Sequence, residues 1–360
     1  TMRASFVVCA ALLLGHPVAK AAEADALVSD DECAETAKTD CALHALQLHK
    51  SAEANAIGVA TANTAGTATE ADTTTMSLVA RNASTNKTGL SGKTVRILHL
   101  SDTHTLHNTI ESSFPLPPAD ILIHTGDFTN FGKDEEFASA NEWLGTLKSR
   151  YKHIIALLGN HDWIHPERVP AAWNDPSYFE SRLSNAQLLL SESITVMGLS
   201  IHGESWKHGD RDFDPEGFAG KVPDGVDLLL THPPAAGTLD WCVTGPWGSS
   251  HELFQEVMRA KPQVHLFGHD HEQRGLWQRS KGGSFVGGVE YHNGPGTKAF
   301  STHAPPANYP PQLISNNAMM NMPKYETWHC KGWCASKIVG PARLIVATQT
   351  ENGWHFHAEK

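Results

Sequence analysis

Five short apolar segments of this chain each end at a group of aspartate, histidine or asparagine residues. The segments are residues 95–100, 121–123, 154–158, 226–230 and 264–267. Their content of isoleucine, leucine and valine, and their alternation with helical segments, indicate the buried parallel strands of an α/β sheet. Because ligand-handling residues lie beyond the carboxyl ends of such strands, we expect the five polar groups to form one site.

The polar groups contain seven side chains that can bind a metal ion. They are Asp102, His104, Asp127, Asn160, His232, His269 and His271. A mixture of oxygen and imidazole ligands suits zinc, manganese or iron better than calcium or magnesium alone. Seven ligands are too many for one tetrahedral ion, and they suit two ions that share a carboxylate and keep positions open for water.

The order of these groups resembles the calcineurin-like metallophosphoesterase family. The family pattern runs D-x-H, G-D, G-N-H-[DE], a single histidine and G-H-x-H, and this chain carries all five blocks in that order. The residues around the blocks are most similar to the metallophosphoesterase-domain-containing (MPPED-type) subgroup, whose members act on cyclic nucleotides and aryl phosphodiesters. The resemblance implies a four-layer α/β sandwich in which helices flank two mixed β-sheets.

The resemblance further implies that the site holds two divalent metal ions, whose identity among manganese, iron and zinc stays open. Asp127 would bridge the two ions. The other ligands would be Asp102, His104 and His271 for the first ion and Asn160, His232 and His269 for the second. In some subgroup members a glycine replaces the first histidine of G-H-x-H and weakens catalysis, so His269 implies an intact second site. A water bound to such a metal pair loses its proton near neutral pH, and the resulting hydroxide would attack the phosphorus.

Three residues are expected to contact the substrate: Asn160, His161 and Trp206. By resemblance, His161 would lie over the phosphate without binding metal, stabilise the developing charge and protonate the leaving oxygen. Asp162 would orient the His161 imidazole, as carboxylates commonly do for histidine. Trp206 follows a predicted strand where the subgroup has an aromatic-rich loop, and it would either stack on a base or anchor the loop.

The charge of the chain favours a small substrate over a polymer. The sequence has 28 basic and 39 acidic residues and a formal net charge of −11, which argues against nucleic-acid polymers and anionic membranes as main partners. We therefore expect hydrolysis of small phosphodiesters, such as cyclic nucleotides. A broad-specificity phosphomonoesterase and a nucleotide-binding protein with little turnover are the alternatives. A metallopeptidase is disfavoured because the sequence contains no H-E-x-x-H motif.

The sequence divides into four regions. Residues 1–22 have the basic start, the apolar stretch and the small-residue cleavage site of a secretory signal peptide, and the apolar stretch is too short to span a bilayer. Residues 23–92 are rich in alanine, threonine and serine and predict a flexible leader. The catalytic domain is predicted over residues 93–350, followed by a C-terminal tail at 351–360. We expect the protein to be secreted or to reside in the lumen of the endomembrane system.

Two further features accord with a secretory location. Asn82 and Asn86 each begin an N-x-S/T glycosylation acceptor within the leader. Disulfides are expected in an oxidising compartment, and their connectivity stays open. The cysteines that would remain after signal removal are Cys33, Cys41, Cys242, Cys330 and Cys334.

Periodicity predicts the remaining elements. Helical spacing of apolar residues indicates crossover helices at 132–151 and 250–260. Residues 187–197 and 199–202 are predicted strands that would begin the second sheet. After His271 the chain is expected to be rich in turns, with late strands near 312–315 and 344–348. Segments that could line the cleft are 210–214, 241–247 and 293–296.

Overall fold

The structure is a computed structural model that describes residues 92–163, 175, 177–206, 217–240, 249–290, 304–321 and 336–359. The predicted signal peptide, the predicted leader up to residue 91, both predicted glycosylation acceptors and every cysteine lie outside these ranges. The three cleft segments, 210–214, 241–247 and 293–296, also lie outside them. None of the described helices combines the length and the apolar composition that crossing a bilayer requires.

Within these ranges the chain forms thirteen strands and four α-helices. The strands are β1 (Thr94–Leu100), β2 (Ile121–His124), β3 (His153–Ala156), β4 (Gln187–Leu188), β5 (Ser191–Val196), β6 (Leu199–Glu204), β7 (Leu228–Thr231), β8 (Val264–Phe267), β9 (Gly275–Arg279), β10 (Phe285–Val289), β11 (Leu313–Asn316), β12 (Arg343–Thr350) and β13 (Gly353–Ala358). The helices are α1 (Ile110–Ser113), α2 (Asp134–Leu147), α3 (Ser177–Arg182) and α4 (His251–Ala260). The five strands predicted to precede the site are therefore present as β1, β2, β3, β7 and β8.

The strands form two mixed sheets. The first has six strands in the order β13-β12-β1-β2-β3-β4, and the second has seven in the order β10-β9-β11-β8-β7-β6-β5. Strands β1 to β4 pair in parallel in the first sheet, as do β6, β7, β8 and β11 in the second. Antiparallel pairing adds β12 and β13 to the first sheet and β5, β9 and β10 to the second.

Side chains alternate along the strands between separate hydrophobic cores, as the two-residue period of a strand requires. Ile97 of β1 lies in the core between the two sheets, whereas Leu98 lies in the core beneath α2 and α3. Leu228 of β7 lies between the sheets, whereas Leu229 packs with α4. Both sheets are thus buried on both faces, and the predicted four-layer α/β sandwich is confirmed.

Helices α2 and α4 lie within the predicted crossover segments. At the start of α2, the Glu136 carboxylate accepts a hydrogen bond from the amide of Lys133 at 3.1 Å. At the start of α4, the Ser250 hydroxyl accepts one from the amide of Leu253 at 3.0 Å. Helix α4 ends at Lys261, which adopts the left-handed conformation common at helix ends. These caps fix where each helix begins and ends. Helix α2 connects β2 to β3, and α4 connects β7 to β8.

The predicted strand at 187–197 is divided between the two sheets. Strand β4 pairs with β3 in the first sheet, whereas β5 pairs with β6 in the second. The chain crosses between the sheets at Leu189, whose side chain is buried in the inter-sheet core and whose amide donates to the Ala156 carbonyl at 2.9 Å. The segment 187–197 therefore remains apolar through the crossing at residues 188–190, and its sequence resembles that of one continuous strand.

Three strands occupy segments for which the sequence predicted turns or a tail. Strands β9 and β10 form an antiparallel hairpin after His271. The sequence did not predict this hairpin, because the glycines of β10 favour turns. Gly287 and Gly288 have φ angles of 130° and 144°, which few other residues adopt. Strand β13 lies in the predicted C-terminal tail and pairs with β12. It is held there because Trp354 and Phe356 face the inter-sheet core.

Replacing Phe356 with alanine should lower the free energy of unfolding by about 3–5 kcal/mol, because a buried aromatic side chain is lost from the core. His355→Ala, on the exposed face of the same strand, should leave it nearly unchanged. Equilibrium unfolding in urea measures both values. Equal, small effects of the two substitutions would mean that β13 is not part of the folded domain.

Candidate metal centre

The loops after five strands meet where the two sheets end. Asp102 and His104 follow β1, Asp127 follows β2, Asn160 follows β3, His232 follows β7, and His269 and His271 follow β8. Parallel strands deliver their carboxyl ends to one edge of a sheet, and the stacked sheets bring two such edges together. Three groups of side chains there have ligand atoms within 4.8 Å of one another. The groups are Asp102–His104–His271, His104–Asp127–His161 and Asp102–Asp127–His232.

The first group is centred on Asp102. The Nε2 atom of His271 lies 3.2 Å from Asp102 Oδ1, and that of His104 lies 4.0 Å from the same oxygen. His271 donates its other ring hydrogen, from Nδ1, to the Met320 carbonyl at 2.6 Å. This bond fixes the ring so that Nε2 faces the carboxylate, as in histidines that bind metal ions.

Asp127 belongs to both the second and the third group. Its Oδ2 atom lies 3.4 Å from the Nε2 atoms of both His104 and His232. His232 donates from Nδ1 to the Thr125 carbonyl at 2.8 Å, which again aims Nε2 into the site. Asp127 therefore lies between a histidine from the first sheet and one from the second, the position expected of a bridging carboxylate.

Asn160 and His269 complete this side of the cluster. The Asn160 Oδ1 atom lies 3.0 Å from His232 Nε2 and 3.1 Å from His269 Nδ1. The His269 and His232 rings are 5.1 Å apart, edge to face. One amide oxygen and two imidazoles thus converge, and all seven predicted ligands lie in one continuous cluster.

The backbone at this cluster is held in a costly conformation. Four of the seven residues have positive φ angles: 52° at Asp102, 40° at His104, 58° at Asp127 and 69° at His269. Residues other than glycine rarely adopt this left-handed region, and it concentrates at functional sites. The sharp turns point the side chains back across the strand ends instead of along them.

Glycines beside these residues allow the close approach. A Cβ atom on Gly159 would lie 2.0 Å from Asp127 Oδ1, and one on Gly268 would lie 1.9 Å from Asp102 Oδ2. No real carbon contact is that short, so any side chain at either position would displace the carboxylate. The glycines of the G-N-H-D and G-H-D-H blocks are therefore explained by the space that the two aspartates occupy.

His161 lies beside the first group. Its ring is edge-on to that of His104, with 4.7 Å between the centroids. The Nδ1 atom donates to the Asn130 carbonyl at 2.6 Å, which leaves Nε2 as the nitrogen on the opposite side of the ring. His161 and His271 each donate to a backbone carbonyl, that of Asn130 and that of Met320. Because every residue has a backbone carbonyl, the sequence gives no signal for either contact.

Asp162 accepts hydrogen bonds from the backbone of two neighbouring loops. Its Oδ2 atom accepts from the amides of Asp127 and Gly159, both at 2.9 Å. Its Oδ1 atom accepts from the Thr129 amide at 3.1 Å and the Thr129 hydroxyl at 2.9 Å. Asp162 thus organises the loop backbone under the cluster, and its orientation of the His161 ring stays a prediction. Burial, together with the charge of Asp127, raises the pKa of Asp162 to about 7.

The charges within the cluster are balanced by protons on two histidines. Burial lowers the pKa of His271, but the hydrogen bond and charge of Asp102 outweigh it and raise the pKa to about 9. Burial also opposes the charge on His232, yet Asp127 raises its pKa to about 9. Divalent cations bound by the same atoms would displace these protons, as metal binding does elsewhere. The donor set and its charge therefore fit a pair of metal ions.

Trp206 packs against two histidines of the cluster, His232 and His269. Its side chain is 5% exposed, and its ring lies 5.2 Å from that of His269 and 6.0 Å from that of His232. Its amide donates to the Leu158 carbonyl at 2.9 Å, and its carbonyl accepts from the indole of Trp163. These contacts favour the loop-anchoring alternative, while stacking on a base stays a prediction.

A comparison with protein families agrees with this geometry. The family model described as calcineurin-like phosphoesterase matches residues 95–273, a range that contains all seven predicted ligands. The chain belongs to the calcineurin-like phosphoesterase family. Both the fold and the membership predicted from the five motif blocks are thus confirmed.

Curated relatives of this phosphoesterase chain point to the same subgroup. Metallophosphoesterase domain-containing protein 1 of Homo sapiens is 34% identical over 215 residues, which cover 50% of this chain and 62% of that protein. UPF0046 protein C25E10.12 of Caenorhabditis elegans is 33% identical over 205 residues, which cover 51% of this chain and 70% of that protein. The chain thus spans less than two thirds of the length of the human relative.

Similarity to solved structures is more distant. A purple acid phosphatase from seeds of yellow lupin (Lupinus luteus) aligns with 74% of this phosphoesterase chain and 52% of its own, at 11% sequence identity and a TM-score of 0.34. A score this low carries no argument about the site or its substrate.

Gly159→Ala should disrupt the cluster, because its new Cβ atom would lie 2.0 Å from Asp127 Oδ1 and 2.6 Å from the Asp127 amide nitrogen. We expect Mn²⁺ affinity to fall by more than about tenfold, since even supporting contacts to a metal ligand matter this much. Titration calorimetry of the purified protein measures it. Gly282→Ala is the control, because its Cβ would meet only Ser280 Oγ at 3.8 Å. Unchanged affinity in Gly159→Ala would contradict the packing argument.

Proposed function

We propose that this chain is a metal-dependent phosphoesterase that hydrolyses small phosphodiesters, such as cyclic nucleotides. The observation that carries the proposal is the convergence of carboxylate, imidazole and amide ligands from five loops, with three groups of ligand atoms each within 4.8 Å. Family membership supports the same chemistry. The preference for diesters is supported by the resemblance of the motif blocks to the MPPED-type subgroup.

The seven clustered side chains would hold two divalent ions, and we propose manganese for at least one of them. Asp127 would be shared between the ions, with Asp102, His104 and His271 on one side and Asn160, His232 and His269 on the other. When bound, such ions draw electron density from phosphate oxygens and lower the pKa of a nearby water. Asn160 adds an oxygen ligand without a negative charge, which keeps the site attractive to an anionic phosphate.

His161 would supply the proton for the leaving oxygen. The bond from Nδ1 to the Asn130 carbonyl fixes the ring. We propose that Nε2, on the other side of the ring, contacts the substrate. The ring lies beside the predicted ligands His104 and Asp127 and so is close to where a phosphate would bind. A proton held at Nε2 would stabilise the charge of the transition state and then pass to the departing alcohol.

The substrate class is tested with two chromogenic esters. The full chain, loaded with Mn²⁺, should hydrolyse bis-p-nitrophenyl phosphate with a higher kcat/KM than p-nitrophenyl phosphate, and a panel of cyclic nucleotides should include a substrate. The reverse order would favour the phosphomonoesterase alternative. Nucleotide binding without turnover of either ester would favour the binding protein.

The same assay tests the metal centre. Asp127→Asn should lower the diester kcat/KM by more than about 100-fold, since loss of contacts that merely support a ligand costs about 10- to 100-fold. A chelator should abolish the wild-type activity, and added Mn²⁺ should restore it. His251→Gln is the control, because His251 is exposed at the start of α4. Full activity of Asp127→Asn would overturn the proposal.

We also propose that the protein enters the secretory pathway. The proposal is supported by the basic, apolar and small-residue pattern of residues 1–22 and by the acceptor sequences at Asn82 and Asn86. Expression in a eukaryotic host should release the protein into the medium, cleaved near residue 22. An uncleaved protein in the cytosol would contradict it, and mass spectrometry of the N-terminal peptide distinguishes the outcomes.

A further inference from the structure

A second cluster of chemically capable side chains lies on β5 and β6, in the second sheet. Ser193 of β5 is opposite His202 of β6, and Ser191 is opposite Glu204. The Ser193 hydroxyl lies 2.8 Å from His202 Nδ1, and His202 Nε2 lies 2.8 Å from Glu204 Oε1. A serine, a histidine and a glutamate are thus joined in a line by two short hydrogen bonds.

The order of these bonds sets the direction of proton transfer. A carboxylate can only accept, so Glu204 Oε1 takes the hydrogen from His202 Nε2 and places the lone pair of the neutral ring on Nδ1. That nitrogen then accepts the hydrogen of the Ser193 hydroxyl. This is the arrangement by which a histidine, oriented by a carboxylate, activates a serine as a nucleophile.

The three residues differ in exposure: the histidine and the glutamate are buried, and the serine is exposed. The side chains of Glu204 and His202 are buried, with residue exposures of 1% and 3%, whereas Ser193 is exposed. Ser191 donates a second hydrogen bond to Glu204 Oε1 at 2.7 Å, which holds the carboxylate in place. The base and its orienting acid are therefore fixed, while the hydroxyl oxygen is accessible to a reagent.

The strand register also supplies a backbone donor. The Leu190 carbonyl accepts from the Ser205 amide at 2.9 Å, so the pairs along these antiparallel strands alternate from that point. By this alternation Ser193 and His202 form a non-hydrogen-bonded pair, in which side chains are closest and the Ser193 N–H points away from β6. Because β5 is the edge strand of the sheet among the described strands, that N–H points to the side of β5 opposite β6.

We propose that Ser193, His202 and Glu204 form a second catalytic site, with Ser193 as a nucleophile toward small carboxylic esters. Ser193 Oγ would bond to the ester carbonyl carbon while His202 Nδ1 takes the hydroxyl proton. The bond from carbon to the alcohol oxygen then breaks, and the alcohol leaves with that proton. A water then loses a proton to His202 Nδ1 and bonds to the acyl carbon. The bond from that carbon to Ser193 Oγ breaks, Oγ takes the proton, and the acid leaves, with the Ser193 N–H stabilising the negative oxygen in each step.

This site uses none of the clustered metal ligands. Ser200, His202 and Glu204 share one face of β6, and Leu199 and Ile201 on the other face lie in the inter-sheet core. The cluster of Asp102 and Asp127 lies beyond the strand ends instead. Activity at Ser193 should consequently persist when a chelator has removed all metal-dependent hydrolysis, so each proposal can fail without the other.

The test is covalent labelling of the chelator-treated full chain with a fluorophosphonate probe. Ser193 Oγ would form a bond to phosphorus, and fluoride would leave with the proton. Tryptic mass mapping should locate the adduct on Ser193. Ser193→Ala should abolish labelling, whereas Ser112→Ala, at an exposed serine of α1 outside the line, should leave Ser193 labelled at the wild-type rate.

His202→Gln tests the base. It should slow labelling of Ser193 by about 100-fold or more, the usual contribution of general base catalysis, and should slow hydrolysis of p-nitrophenyl acetate equally. Thermal unfolding confirms that each variant is folded, and if His202→Gln is not, the two serine variants decide. Absence of an adduct on Ser193, or labelling of folded His202→Gln at the wild-type rate, would overturn the proposal.

Discussion

The candidate metal centre depends on a reciprocal contact between the loops that follow β2 and β3. The amide of His161 donates to Asp127 Oδ1 at 2.9 Å, and the amide of Asp127 donates to Asp162 Oδ2 at the same distance. Each loop therefore fixes a carboxylate of the other. The contact is feasible only because Gly159 has no side chain, since a Cβ atom there would overlap Asp127 Oδ1. Removing that space separates the loops and, with them, the residue that would link both metal ions.

The two sheets divide the ligands between them. The loops after β1, β2 and β3 supply both aspartates and Asn160, whereas those after β7 and β8 supply three of the four histidines. The distance between the halves is set by the apolar core between the sheets, to which β1, β7 and β8 all contribute. Close-packed cores resist changes in spacing, so the sandwich holds the left-handed residues of the site in place. The strain of those residues is offset by burial elsewhere.

The sequence predicted the strands, and it identified residues that cluster in the structure, because both leave local signals. Buried parallel strands are uniformly apolar, and the glycines and ligands follow them directly. What it missed depends on contacts between distant segments. The hydrogen bonds that Asp162 accepts from the amides of Asp127 and Gly159 are one example, because no side-chain pattern encodes a backbone donor. At Leu189 the chain passes from one sheet to the other inside the apolar core, so no polar residue marks the break between β4 and β5. In β10, two glycines lower the strand propensity of a segment that nevertheless pairs with β9. In β13, Trp354 and Phe356 alternate with more polar residues, which is the pattern of a half-buried strand. The segment is too short for this pattern to distinguish a strand from a tail.

The pairing of β1 has a consequence for how the protein assembles during synthesis. Strand β1, which carries the first ligands, lies between β2 and β12, and β12 is separated from it by most of the described chain. Until β12 has been made, one edge of β1 is an open template with unpaired backbone groups, which invites wrong partners. Such a topology folds slowly, because the closing pair spans so many residues. A nascent chain of this kind would benefit from a chaperone that shields the edge until the late strands arrive.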